Sequence, residues 1–130
     1  MPKITANGKT AEWGEDKRLV LAIEDMGINI GHRCGGNARC TTCRVEFISG
    51  EPDRMTVAEY EKLKERGLLG KYRLSCQLKC WHDMEVKPIM TLESEEEWSD
   101  TGPRPDDQVQ PVAEWFPKEE LMEEHELAGS

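Results

Sequence analysis

The chain has 130 residues, 37% apolar and 33% charged, which suits one domain with a modest core and a polar extension. Its net charge of −9 is unevenly spread: residues 1–90 carry 15 Lys and Arg against 13 Asp and Glu, and residues 91–130 carry 2 against 13. No basic stripe interleaved with aromatics occurs, which argues against nucleic acid as a partner, and no run approaches the ~20 apolar residues of a membrane span.

The first residues, Met1-Pro2-Lys3-Ile4-Thr5-Ala6, read as the start of a strand and not as a signal or transit peptide. Asn7-Gly8 is a strong two-residue turn signal, so residues 3–6 and 9–13 are expected to form a hairpin. Asp16 is a candidate N-cap for a helix over residues 17–26, with Leu19, Val20, Ile23 and Met26 on one apolar face and Gly27 as its stop.

The loop that follows is Gly31-His32-Arg33-Cys34-Gly35-Gly36-Asn37-Ala38-Arg39-Cys40-Thr41-Thr42-Cys43-Arg44. It holds three of the five cysteines as C-x5-C-x2-C, and Cys76 returns after 32 intervening residues in Arg73-Leu74-Ser75-Cys76-Gln77. The loop has too few apolar residues to pack a core. It offers soft thiolates and backbone N–H groups converging on a small volume, the layout of an iron–sulfur site. An odd number of cysteines does not suit a secreted disulfide framework, so a reducing, cytoplasmic setting is expected.

Residues 44–49 alternate well enough for a strand, with Val45 and Phe47 on one face. A second helix is expected from Met55 or Thr56 to about Arg66, with Val57, Tyr60 and Leu63 at helical spacing and Gly67 as its stop. Residues 72–74 read as extended and deliver Cys76; residues 77–79, a turn at Trp81-His82-Asp83, and residues 84–88 read as a final hairpin. This order of strands and helices gives an α+β class. Residues 1–92 form the expected domain, and residues 93–130 an acidic, Pro-containing extension. Pro117 suits the first turn of a short helix over residues 118–127. The extension is either solvated and disordered, or pinned to the core by Trp98, Trp115 and Phe116.

Cys-Gly-Gly-x-Ala-x-Cys-x-Thr-Cys followed by Arg-Leu-Ser-Cys-Gln resembles the 2Fe–2S ferredoxins on their adrenodoxin-like branch; the plant-type branch has C-x4-C-x2-C. The resemblance covers roughly residues 3–90 and implies a β-grasp (ubiquitin-like) fold. It further implies a single 2Fe–2S cluster held by Cys34, Cys40, Cys43 and Cys76, with Cys34 and Cys40 on the outer iron, which takes the electron, and Cys43 and Cys76 on the inner one. Gly35 and Gly36 permit backbone conformations that turn N–H groups toward the sulfurs, and Asn37, Ala38, Arg39, Thr41 and Thr42 complete the cradle. Such a protein is a one-electron carrier and not an enzyme, a monomer shuttling electrons from a flavin-containing ferredoxin reductase to an acceptor oxidoreductase. Its potential is low, on the order of −400 mV if it follows the plant-type proteins. The branch docks its partners through acidic residues on the helix before the fourth cysteine; the matching positions are Glu59 and Glu61, although Lys62, Lys64 and Arg66 lie among the acids.

Two alternatives stand beside this reading. Cys40-x2-Cys43 with Cys76-x3-Cys80 could form a four-thiolate zinc site in an interaction module, leaving Cys34 unused. A ferredoxin serving iron–sulfur cluster assembly or sensing would share the same fold and cluster. Otherwise Cys80 is expected to be a small, partly buried hydrophobe, and His32 a surface residue near the cluster rim. His82 falls in the predicted turn and His125 in the extension, neither with a convincing partner. Arg44 stands where many family members carry His. No Ser/His/Asp set, phosphate loop or paired-carboxylate site is evident.

Overall fold

Asn7 and Gly8 both take positive φ, 49° and 79°, and so turn the chain between β1 (Lys3–Ala6) and β2 (Lys9–Glu12) as the Asn-Gly pair predicts. The computed structural model describes residues 2–32, 42–91, 109 and 115–117. The hairpin is the edge of a five-stranded sheet in the order β2-β1-β6-β3-β5, where β3 is Arg44–Ser49, β5 Arg73–Leu74 and β6 Met84–Pro88. β6 runs parallel to β1 and antiparallel to β3, which places it at the sheet's centre. Its burial alternates accordingly, with Met84, Val86 and Pro88 inward and Glu85 and Lys87 outward. This is the β-grasp arrangement.

The expected final hairpin does not form. Ser75–Gln77 makes a single 3-10 turn, and β6 finds its partners in the distant strands β1 and β3. Local turn chemistry at Trp81-His82-Asp83 suggested a hairpin, but Lys79 bridges to Arg18 and both edges of β6 are taken by β1 and β3.

The first helix, α1 (Leu19–Asp25), is shorter than expected and is capped by Arg18 rather than Asp16, without a side-chain cap bond. Gly27 follows with φ 89°, the left-handed residue that ends it. All of Leu19, Val20, Leu21, Ala22 and Ile23 are buried, so the helix is covered on more than the one predicted face. It packs against β1 and also against the Ser75–Gln77 turn, where Leu19 N–H donates to Leu78 O at 2.8 Å. Each fully buried Leu or Ile contributes about 1.5–3 kcal/mol, so α1 anchors the core beside the fourth cysteine.

The second helix, α2 (Val57–Glu65), starts at Thr56, whose hydroxyl accepts the Glu59 N–H. A short strand that periodicity does not reveal, β4 (Arg54–Thr56), precedes it and pairs antiparallel with β7 (Trp115–Pro117). Pro117 therefore lies in a strand and not at a helix start; the helix expected over residues 118–127 lies outside the described residues, as does Trp98. Phe116 packs on the core and Trp115 meets Trp81 edge to face, with ring centroids 5.3 Å apart.

Candidate metal centre

The described residues include Thr42, Cys43 and Cys76 of the proposed cradle; Cys34, Gly35, Gly36, Asn37, Ala38, Arg39, Cys40 and Thr41 lie outside them. Cys43 and Cys76 are buried, at 1% and 0% exposure, and neither forms a disulfide. Strand pairing brings their segments together across 32 intervening residues. β3 begins directly after Cys43, β5 ends directly before Ser75, and Arg44 pairs with Leu74. Ser75 then closes the junction twice on Cys43 O, through its N–H at 3.2 Å and its hydroxyl at 2.7 Å.

Donors surround the fourth cysteine. Gln77 Nε2 lies 3.8 Å from Cys76 Sγ as a donor to sulfur. Arg18, fully buried at the start of α1, donates to Cys76 O from Nε at 3.2 Å and from Nη2 at 2.6 Å. A buried thiol with an N–H donor on its sulfur and a cation on its own carbonyl suits a metal group whose ligands are thiolates. Sequence reasoning missed Arg18, because Asp16-Lys17-Arg18 reads as the exposed start of a helix. Gln77 stood in the quoted Arg-Leu-Ser-Cys-Gln motif without a role.

Arg73 of that motif has a structural task. Its guanidinium meets Glu59 in a two-pronged pair, Nε to Oε2 at 2.8 Å and Nη2 to Oε1 at 3.1 Å, and donates to Pro52 O and Arg54 O. Burial disfavours the charge on Arg73, but Glu59 and Glu51 outweigh it and raise its pKa above the ordinary value. Glu59 also accepts the Leu74 N–H and is 0% exposed. The expectation that Glu59 faces a partner is therefore corrected: it fastens α2 to β5 from inside. Glu61 remains exposed on α2. His32 is corrected likewise; it is 1% exposed and its Nε2 is 2.7 Å from Glu24 Oε1. Arg44 lies over the Tyr72 ring at 6.0 Å.

Cys80 is 0% exposed, and burial pushes its thiol pKa up to about 12, outweighing the attraction of Lys17. The zinc alternative requires Cys43, Cys76 and Cys80 to share a centre, yet among the described residues no three His, Cys, Asp or Glu side chains gather on one point.

A β-grasp domain that brings two buried cysteines to a common junction defines a class, the iron–sulfur electron-transfer domains. The chain belongs to the 2Fe-2S iron-sulfur cluster binding domain family, whose model matches residues 4–80. It is 36% identical over 85 residues to 2Fe-2S ferredoxin-5 of Aquifex aeolicus, covering 61% of this chain and 88% of that protein. It is 35% identical over 79 residues to one component of the Na(+)-translocating NADH-quinone reductase of Chlamydia felis; that match covers 61% of this chain but only 18% of the component's own length. Among solved structures, the ISC-like 2Fe-2S ferredoxin of Pseudomonas putida superposes with TM-score 0.56 at 25% identity, covering 67% of this chain and 91% of that one. The cofactor is accordingly a 2Fe–2S cluster, and the family is one of electron carriers, some of whose relatives are parts of reductases. Among the described residues no helix is long and apolar enough to cross a membrane.

Proposed function

We propose that this domain is a one-electron carrier whose 2Fe–2S cluster is held by Cys34, Cys40, Cys43 and Cys76. It takes electrons from a flavin-containing reductase and delivers them to an acceptor oxidoreductase in the cytoplasm. The cluster supplies the one-electron redox chemistry; the protein holds the thiolates, excludes water and sets the polarity around them. The observation that carries the reading is the junction at Ser75, which brings two buried cysteines from remote segments together. Cys34 and Cys40 follow from the motif, with Gly35 and Gly36 giving the loop room to wrap the cluster.

In the same reading residues 1–92 are the electron-carrying domain and residues 93–130 an extension partly laid on it through Trp115–Pro117. Glu61 is the remaining docking position on α2. Visible absorption with iron and sulfide analysis tests the proposal. Two irons and two sulfides per chain are expected, and are expected to be lost in Ala variants of Cys34, Cys40, Cys43 or Cys76 but retained in Cys80→Ala. A colourless protein, or a cluster that survives replacement of Cys76, would sink it.

A further inference from the structure

Most N–H donors around a thiolate cluster belong to the backbone and cannot be removed by substitution. Gln77 is different, because its donor is a side-chain amide, fully buried, 3.8 Å from Cys76 Sγ. A buried amide could present either its NH2 or its oxygen to the sulfur, and the surroundings decide which. Thr56 Oγ1 accepts the Glu59 N–H at 3.1 Å as the cap of α2, and donates its own single proton to Gln77 Oε1 at 2.8 Å. With Oε1 held there, the NH2 end is left for the sulfur. The Gln77 backbone is fixed from the other side, where its carbonyl accepts Trp115 Nε1–H at 3.0 Å.

We propose that Gln77 tunes the reduction potential of the cluster through its hydrogen bond to Cys76 Sγ, and that Thr56 is the positioning residue that holds the Gln77 amide in the donating orientation. The inference rests on Cys76 being a cluster ligand, as proposed above. Reduction adds one negative charge to the cluster and its thiolates. A donor aimed at a ligand sulfur stabilises the reduced form more than the oxidised form and so raises the potential. Thr56 and Gln77 are 3% and 0% exposed, so water cannot replace the donor when it is lost and the effect is not screened.

The test is spectroelectrochemical titration of the cluster-loaded full chain in four forms: wild type, Gln77→Leu, Thr56→Val and Thr56→Ser. At a fixed ambient potential Gln77→Leu is expected to lower the reduced-to-oxidised ratio by about tenfold, equivalent to about 59 mV for one electron. Thr56→Val should shift the ratio the same way by less, and Thr56→Ser, which keeps the hydroxyl, should restore it. Because Thr56 acts through Gln77, the double variant Thr56→Val with Gln77→Leu should shift no further than Gln77→Leu alone. A purely structural role for Thr56 would lower the melting temperature without that pattern.

An unchanged potential in Gln77→Leu, with the visible spectrum of the cluster intact, overturns the proposal while leaving the carrier function standing. A wild-type protein without a 2Fe–2S spectrum overturns both. Should Gln77→Leu fail to load the cluster, wild-type protein labelled with 15N in its glutamine side chains decides the matter. A 15N coupling in the EPR of the reduced cluster supports the hydrogen bond, and its absence overturns it.

Discussion

Glu59 and Glu61 lie two residues apart on α2, yet one is sealed inside and the other faces solvent. Removing Glu59 leaves Arg73, 5% exposed, as a buried cation without its two-pronged partner. Glu59→Ala should therefore lose about 3–5 kcal/mol of stability by urea denaturation. Glu61→Gln should change stability by about 0.5 kcal/mol or less, with any effect appearing in partner association rates. Equal stability losses would refute the buried pairing. Cys80 makes a second prediction. Its thiol pKa is raised by burial from 9.0 to about 12, so the folded chain keeps a proton that the unfolded chain releases. Stability from this group is thus fully present below pH 9.0 and declines as pH rises toward 12. The slope is at most about 1.4 kcal/mol per pH unit for one thiol. Urea midpoints taken across that range should fall less steeply in Cys80→Ala than in wild type; parallel curves would contradict the raised pKa.

At the scale of elements, the parts legible in the sequence are those whose determinants are local. Asn7-Gly8 specified its turn, residues 44–49 their strand, and Thr56 with Gly67 the limits of α2, because each depends on neighbours within a few positions. The parts that were not legible depend on remote pairing. β6 looked like half of a hairpin, β4 had no signature, and Glu59 looked like surface until Arg73 arrived from β5. The same holds at the site: the cysteine spacing announced the metal centre, whereas Arg18 reaches Cys76 O only when α1 and the Ser75–Gln77 turn pack together, and the Gln77 amide is oriented toward Cys76 Sγ by Thr56 at the start of α2. Trp115 and Phe116 stood between two readings, and β7 supports the pinned one for their segment. A chain ending at Leu92, which keeps the Ile30–Thr91 bridge, loses the β4–β7 pairing, the Trp81–Trp115 contact and the bond to Gln77 O. Its melting temperature should fall by several degrees, and Trp115→Ala should reproduce a large part of the loss. An unchanged melting temperature in both would mean that β7 adds nothing to stability.

Across the whole molecule, charge is divided between two stretches. Residues 1–90 are close to neutral, with 15 cationic and 13 anionic side chains, whereas residues 91–130 carry 13 acids against 2 bases. On α2 the exposed acids are interleaved with Lys62 and Lys64, and Glu65 pairs with Lys62 at 2.9 Å, so that helix presents no strong field of its own. If an electron partner is attracted electrostatically, the field it meets must come chiefly from the acidic extension. Glu119, Glu120, Glu123 and Glu124 form the densest group near the end of the chain. Replacing all four with Gln should slow association with a basic-faced reductase by about tenfold at low salt. The difference should shrink as salt is added, because the screening length falls to about 8–10 Å near physiological ionic strength. Stopped-flow reduction of the cluster across a salt series measures this directly, and the variant's cluster spectrum and potential should match the wild type. A rate that is independent of salt in the wild-type chain would place partner recognition on apolar or shape contacts instead, and leave Glu61 and the extension without a role in steering.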